Sequence, residues 1–309
     1  MVLAQTWLVG LDWGTSSLRA FRIGANGGVL ERREGPWGIL AVEGGDFESR
    51  LRQFVGDWLA AAPLAPVLAS GMVTSRQGWV EVPYLPCPAG IGELAAALHP
   101  LRLADGRILH FVPGLACRQA GDAPEVMRGE ETQIAGALAS GPTSCLFVLP
   151  GTHSKWAEVE NGRVQRFSTF MTGELYALLC RHSILGRGMA GEAFQASAFE
   201  EGVRAGHAPG KATGGLLHRL FGVRTRGLAG ELAPEAAASF LSGLLIGSEI
   251  REAEGMYSTG RAVDLIGSFA LATRYGRAFA LLGRPSTIWP EDLAARGHFA
   301  LARAAGLVG

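Results

Sequence analysis

One arrangement of residues, written twice in the chain, limits its fold more than any other feature. In "WLVGLDWGTSSLRAFRIGANGGVLERRE" (7–34) an apolar run ends at Asp12 and a Gly14-Thr15-Ser16-Ser17 turn follows. An alternating segment, "SLRAFRI", then leads through Asn-Gly into "GVLERRE". A short apolar run reads as a buried strand and period-two alternation as a half-buried one. Asn-Gly is the strongest short hairpin signal. The stretch "CLFVLPGTHSKWAEVENGRVQRFSTF" (145–170) repeats the order, with Gly151-Thr152-His153-Ser154 at the turn. Copies so far apart predict two domains of one architecture, since solenoid repeats recur every 20–50 residues or so.

The rest of the chain supplies what each meander needs to become a domain. Between the copies the pattern predicts a helix over 47–62, the strands "PVLASGMV" and "RILHFVPG", and a helix over 130–139. After the second copy it predicts helices over 173–185, 192–205, 215–221 and 234–254, then the strand "AVDLIGS". "FALATRYGRAFALLG" reads as a helix closed by Gly283, and a final helix enters through Pro290. The fold class expected is α/β: two duplicated domains, each a β-meander-led mixed sheet with flanking helices. The boundary is expected in "ACRQAGDAPEV", giving domains 1–120 and 121–309.

Composition narrows the function classes. With 309 residues, 48% hydrophobic and 18% charged, the chain can bury two cores and is poor in the features of disorder. A net charge of zero supplies no field for nucleic acid or anionic lipid, so neither partner is expected. The uncharged stretch 132–153 is broken by "SGPTS" and reads as helix end, turn and strand, with no membrane span. Cys87, Cys117, Cys145 and Cys180 show neither CxxC nor metal-ligand spacing. With no signal peptide, a reduced cytoplasmic protein is expected. Lysine occurs only at 155 and 211, which singles out Lys155 beside the second turn.

A turn of Gly, Ser and Thr at a strand end exposes backbone N–H groups that can cradle anionic oxygens. Asp12 beside it could hold a hydrated Mg²⁺, a hard cation suited to carboxylate, water and phosphate. A solvated loop accounts for one such turn equally well; two on homologous halves point to one nucleotide held from both sides.

The paired turns and "LIGSFALATRYGRAFALLG" resemble the sugar kinase, actin and heat-shock chaperone ATPase superfamily. "LASGMVTSRQGWVEVPYLPCPAG", "VMRGEETQIAGAL", "VLPGTHSKW", "FMTGEL" and "FLSGLLIG" resemble, more narrowly, the 2-dehydro-3-deoxygalactonokinase family. These patches run in the family's order over nearly the whole chain. The resemblance implies an actin-like fold with the nucleotide in an interdomain cleft. It also implies ATP and Mg²⁺ as cofactors and phosphorylation of a small sugar acid, 2-dehydro-3-deoxy-D-galactonate, at its 6-hydroxyl.

The same resemblance distributes roles. Asp12 is implied at the metal, and Gly14, Thr15, Ser16, Gly151, Thr152, His153 and Lys155 at the phosphates. Gly267 and Ser268 are implied at adenosine, and Ser75, Arg76, Trp79, Thr172 and Glu174 at the substrate. Each has a plainer alternative: Arg76 and Lys155 as solvated cations, Trp79 as core, Thr172 as a helix cap. Related turns often carry an acidic residue where this chain has Pro150, so the base is sought elsewhere. Kinases of similar build place it in a "GDQxAGA"-like stretch; here that stretch is "RGEETQIAGAL", where the position falls on Thr132 with Glu131 and Glu130 beside it. Either glutamate could instead serve the helix dipole, and His153 is a third candidate base.

Three other readings share these motifs. A kinase for another sugar acid or hexose differs only in the "SRQGW" region and the pocket. A nucleotide-binding regulator calls for a DNA-binding module, and six residues before the first strand leave no room for one. A chaperone-like ATPase calls for a long substrate-binding extension after the last helix. A homodimer is compatible with all of them.

Overall fold

The computed structural model describes residues 6–118, 123–139, 141, 143–191, 193–209, 214–258 and 261–309. The chain forms two compact units: Met1–Ser144, Val159–Phe167 and Pro290–Gly309 make the first, Cys145–Glu158 and Ser168–Trp289 the second. The boundary expected near residue 120 lies outside the described residues.

The first unit's strands are β1 (Thr6–Trp13), β2 (Leu18–Gly24), β3 (Val29–Gly35), β4 (Val67–Ser70), β5 (Leu85–Pro86), β6 (Ala89–Gly90), β7 (His99–Arg102), β8 (Ile108–Phe111), β9 (Leu115–Cys117) and β10 (Glu125–Met127). Its main sheet runs β3-β2-β1-β4-β8-β7, and β10-β9-β5 form a small second one. The β1-β2-β3 meander is antiparallel, β4 and β8 continue parallel to β1, and β7 closes the edge antiparallel. Helix α1 (Phe47–Ala61) is capped by Asp46, whose carboxylate accepts from Ser49 N at 3.1 Å. It buries Phe47, Leu51, Val55 and Trp58, one face of a 3.6-residue period, against Leu11, Trp13, Val67 and Leu109. Trp13 is fully buried and its indole N–H donates to Trp37 O at 2.9 Å.

The strand expected through Val73 stops at Ser70. Gly71, at φ 93°, turns the backbone into a short 3-10 turn over Met72–Thr74, and that break re-aims the chain beside Asp12. Helices α2 (Ile91–Ala96) and α3 (Glu130–Leu138) complete this part of the unit.

The second unit repeats the plan. Its sheet is built on β11 (Cys145–Leu149), β12 (Ser154–Glu160), β13 (Arg163–Phe170), β14 (Val263–Leu265) and β15 (Ser286–Ile288), of which the hairpin stretch Val159–Phe167 counts with the first unit. They run β13-β12-β11-β14-β15, with β14 parallel to both β11 and β15. That is the order of β3-β2-β1-β4-β8, so the duplicated, actin-like architecture is present. Asn161 (φ 53°) and Gly162 (φ 71°) make the left-handed hairpin turn that Asn-Gly favours. In the first copy only Gly27 (φ 78°) is left-handed, and Asn26 Oδ1 accepts from Gly28 N at 3.0 Å.

Between β13 and β14 lie α4 (Thr172–His182), α5 (Ala196–His207), α6 (Leu216–Leu228) and α7 (Pro234–Glu254); α8 (Phe269–Leu281) joins β14 to β15. Helix α6 runs past the expected Phe221 to Leu228, and its buried residue, Val223, lies in that extension. Helix α7 is buried at every residue from Ser239 to Ile250, so it has no polar face there and is a core helix. It meets α5 through glycines: a Cβ on Gly202 would stand 2.1 Å from Phe240 O, and one on Gly247 2.3 Å from Val203 O. No helix among the described residues is long and apolar enough to cross a membrane.

Helix α9 (Leu293–Ala304) then rejoins the first unit. It begins after Asp292, so Pro290 precedes the helix and does not open it. It lies backbone to backbone on α3: a Cβ on Gly297 would stand 1.8 Å from Thr132 O, and one on Gly136 2.1 Å from Leu293 O.

Candidate active site

In the first unit three chain segments meet at the end of β1. Asp12, 8% exposed, is paired through Oδ2 with Arg19 on the neighbouring strand. Its Oδ1 faces two glycines: a Cβ on Gly71 would lie 3.3 Å from it and one on Gly129 3.9 Å away. Gly129 has φ 101° and immediately precedes α3. The Oδ1 side of the carboxylate therefore looks onto the start of the helix that carries both candidate bases, across two residues without side chains.

The two glutamates occupy different environments, as adjacent helical positions must. Glu131 is 1% exposed; Oε2 accepts from Gly129 N at 2.7 Å and Oε1 from Thr132 Oγ1 at 2.9 Å. Burial, and then the neighbouring Glu130 charge, push its carboxyl up to about 8. A carboxyl so placed titrates near the operating range of a general base. Glu130 is partly exposed and accepts from Arg128 N at 3.0 Å.

Behind Asp12, its strand partner Ser70 bonds His298 Nε2 at 3.0 Å. His298 is fully buried on α9, and desolvation lowers its ring to about 3, so it stands neutral. Gly10 leaves the space it fills: a Cβ there would touch Nδ1 at 2.6 Å. Nothing in "RGHFALAR" marks this histidine, because its role depends on a strand far away in sequence.

The first turn is held open by backbone bonds. Gly14 N donates to Ser17 O at 2.9 Å, Ile39 N to Gly14 O at 3.0 Å and Leu40 N to Thr15 O at 3.2 Å. Thr15 and Ser16 project into solvent. The loop after β4 places its residues less uniformly. Ser75 Oγ donates to Met72 O at 2.7 Å within the loop. Arg76 is 86% exposed and lies 3.5 Å from Glu81. Trp79 stacks on Phe47 (5.8 Å, 12°) and meets Trp13 and Phe111 edge-on, as the core alternative expects. The cation this loop is built around is Arg128, which donates to Thr74 Oγ1 (2.7 Å) and Val82 O (2.6 Å) and covers the Tyr84 ring at 3.9 Å.

In the second unit Gly151, Thr152 and His153 turn between β11 and β12 and meet the start of α4. Glu174 N donates to Thr152 O at 2.9 Å, and His153 Nε2 lies 2.5 Å from Glu174 Oε2. Gly173 is forced by proximity, since a Cβ there would meet Gly151 O at 2.3 Å. Lys155 is 5% exposed, with Nζ 3.4 Å from His153 O, so it is no solvated strand residue. Gly267 adjoins the same turn, where its Cβ would lie 3.2 Å from Pro150 O, and Ser268 follows at the start of α8. Thr172 opens α4 as its first residue, with Met171 as the cap, and no side-chain cap bond forms.

The sequence model of the 2-keto-3-deoxy-galactonokinase family matches residues 12–301. The 2-dehydro-3-deoxygalactonokinase of Escherichia coli K12 is 36% identical over 286 residues, 93% of this chain and 94% of that one. A Sinorhizobium meliloti crystal structure described under the same enzyme name superposes with a TM-score of 0.88 at 37% identity, covering 96% of this chain and 99% of that one. The Clostridium difficile activator of 2-hydroxyisocaproyl-CoA dehydratase shares the fold, at TM-score 0.54 and 11% identity over 97% of this chain and 96% of its own.

Proposed function

The chain belongs to the 2-keto-3-deoxy-galactonokinase family, and on that premise we propose that it transfers the γ-phosphoryl group of ATP to the 6-hydroxyl of 2-dehydro-3-deoxy-D-galactonate. The observation that carries the reading is the meeting of the Asp12 carboxylate, Gly71 and the head of α3, where Glu131 is buried with its carboxyl raised to about 8.

Glu131 orients the substrate hydroxyl and takes its proton as the oxygen attacks the γ-phosphorus in line; the bond to the bridging oxygen breaks and ADP leaves. Such transfer asks the protein for alignment and charge neutralisation more than covalent chemistry. Glu130 serves the loop before α3 through Arg128 N. The second unit supplies Gly151, Thr152, His153 and Lys155 to the phosphates and Gly267 and Ser268 to the nucleoside, while Gly14, Thr15 and Ser16 serve the phosphates from the first. Ser75, Arg76 and Glu174 stand as substrate contacts, with Arg76 leaving Glu81 for the sugar-acid carboxylate. Trp79 instead packs among Trp13, Phe47 and Phe111, and Thr172 lines a cavity of the second unit.

Asp12 fits a Mg²⁺ held otherwise by water and phosphate. That ion needs only one or two carboxylates, and among the described residues no group of three or more His, Cys, Asp or Glu gathers into a protein cage. A bound ion would supply charge neutralisation on the phosphates, and Asp12, whose Oδ2 is paired with Arg19, would hold it.

A cytoplasmic location is part of the same reading: the substrate pair is intracellular chemistry and all four cysteines are unbridged. A second copy of the chain is the partner proposed for α6, which exposes Leu217, Phe221 and Leu228 along one side. The test of the function is an ATP-coupled assay across 2-keto-3-deoxy sugar acids, aldonates and hexoses. Turnover of 2-dehydro-3-deoxy-D-galactonate well above all others is the expected result; equal kcat/KM for glucose overturns it.

A further inference from the structure

One fully buried carboxylate lies outside every role assigned so far. Glu249 sits on α7, 3% exposed, near the C-terminal end of that helix's continuous buried stretch. Its Oε1 accepts from Ser154 Oγ at 2.7 Å and from Trp156 Nε1 at 2.7 Å, and Oε2 accepts from Tyr275 OH at 2.6 Å. The Thr172 side chain bonds the same carboxyl. These donors come from three elements: the strand leaving the Gly151-Thr152 turn, the first residue of α4, and α8, which follows Gly267-Ser268.

The second phosphate turn, α4, α8 and α7 itself line a small cavity of about 50 Å³, whose lining includes Gly151, Thr172, Gly173, Tyr176, Arg274 and Tyr275. Two of the hydroxyls held by Glu249 are thus part of the wall. A buried carboxyl with so many donors would be a poor choice for stability alone, because desolvating it costs several kcal/mol and apolar packing serves as well. What it adds is direction. Burial pushes the Glu249 carboxyl up, and its four donors oppose that shift. While it is ionised, hydroxyls that donate to it turn only lone pairs elsewhere, so Thr172 and Tyr275 can accept from a ligand in the cavity but not donate to it.

We propose that Glu249 is a positioning residue for the nucleotide, locking the second phosphate turn, the head of α4 and α8 in one geometry and presenting hydrogen-bond acceptors to a donor group of the nucleoside. This rests on the reading of the second unit as the ATP-holding half. Substitution by glutamine keeps size and shape, and its carbonyl can still accept from Ser154 and Trp156. Its amide N–H₂, however, must face Tyr275 and Thr172, reversing their hydroxyls so that protons point into the cavity.

The experiment is steady-state kinetics on wild type and Glu249→Gln, with ATP and the sugar acid varied in turn, alongside thermal melting. A KM for ATP raised at least tenfold, with the sugar-acid KM unchanged, is the expected result. Tyr275→Phe removes one wall hydroxyl together with its bond to Glu249 Oε2 and leaves the Ser154 and Trp156 bonds to Oε1 in place; it is expected to raise the ATP KM as well, and it stands in if the glutamine variant does not fold. An unchanged ATP KM in a folded variant, or an equal loss across both substrates, overturns the positioning role and leaves the kinase reading standing. A wild type that turns over no ATP overturns the kinase reading itself.

Discussion

Replacing Glu131 with glutamine should make the protein more stable at alkaline pH and nearly inactive. The carboxyl ordinarily titrates near 4.5 and is pushed up to about 8 by burial and by Glu130. The folded chain therefore binds this proton more tightly than the unfolded chain does. The stabilisation is fully present below about pH 4.5 and is lost progressively as pH rises through about 8. At about 1.4 kcal/mol per pH unit the window amounts to roughly 5 kcal/mol, an upper figure for a single group. Glutamine carries no such proton. It can also keep both bonds, with its carbonyl on Gly129 N and its amide donating to the Thr132 hydroxyl, so no buried group is orphaned. Activity should run the other way. The base works only when ionised, about a tenth of the time at pH 7, so kcat/KM should climb about tenfold between pH 7 and a plateau above pH 8. The assay pairs thermal melts from pH 5 to 9 with initial rates over the same range. Wild type should lose melting temperature toward pH 9 relative to Glu131→Gln, while the variant has lost turnover. Parallel melting profiles, a flat kcat/KM, or a fully active variant would refute the reasoning.

Asp12→Asn should lower turnover by about 10²–10³ with the fold retained, since it removes one preorganised charge from the phosphates; near-normal rates with an unchanged Mg²⁺ requirement would contradict this. Gly297→Ala places a carbon 1.8 Å from Thr132 O, so α9 and α3 must separate by more than an ångström. Overpacking of that kind costs about 1–3 kcal/mol, and kcat should fall by at least tenfold as Glu131 shifts; a variant with wild-type kcat and melting would show that α3 tolerates the displacement. Trp79→Ala should cost about 3 kcal/mol in stability through its ring contacts with Trp13, Phe47 and Phe111. A raised sugar-acid KM without loss of melting temperature would assign Trp79 to the substrate instead.

The two meanders were legible because strand alternation and Asn-Gly are local signals, and the structure finds β1 to β3 and β11 to β13 where those signals lie. The head of α3 was legible for the same reason: Gly129 followed by two glutamates marks a helix start. Features that depend on distant partners were not. His298 carries no local mark, and its bond to Ser70 exists only because α9 returns to the first sheet. Glu249 stands where the apolar run of its helix gives way to Arg251, Glu252 and Glu254, so it reads as the start of the polar end, and its donors come from other elements. Arg128 was passed over for Arg76 because both are simply arginines in polar company; Thr74, Val82 and Tyr84 distinguish them only in three dimensions.

The glycine crossing of α9 on α3 also bears on the order in which the molecule can be completed during synthesis. Chains emerge N-terminus first, and domains tend to fold as they appear. Here the helix bearing Glu130 and Glu131 finds its packing partner only when residues 290–309 leave the ribosome, after the whole second unit. Until then Gly136 and the Thr132 carbonyl face water, and Ser70 lacks its histidine. The first unit draws on three stretches of chain, the last of them Pro290–Gly309, and must wait with its catalytic end unfinished. A nascent chain arrested before α9 should therefore hold a first unit without a working site, with the head of α3 open to protease.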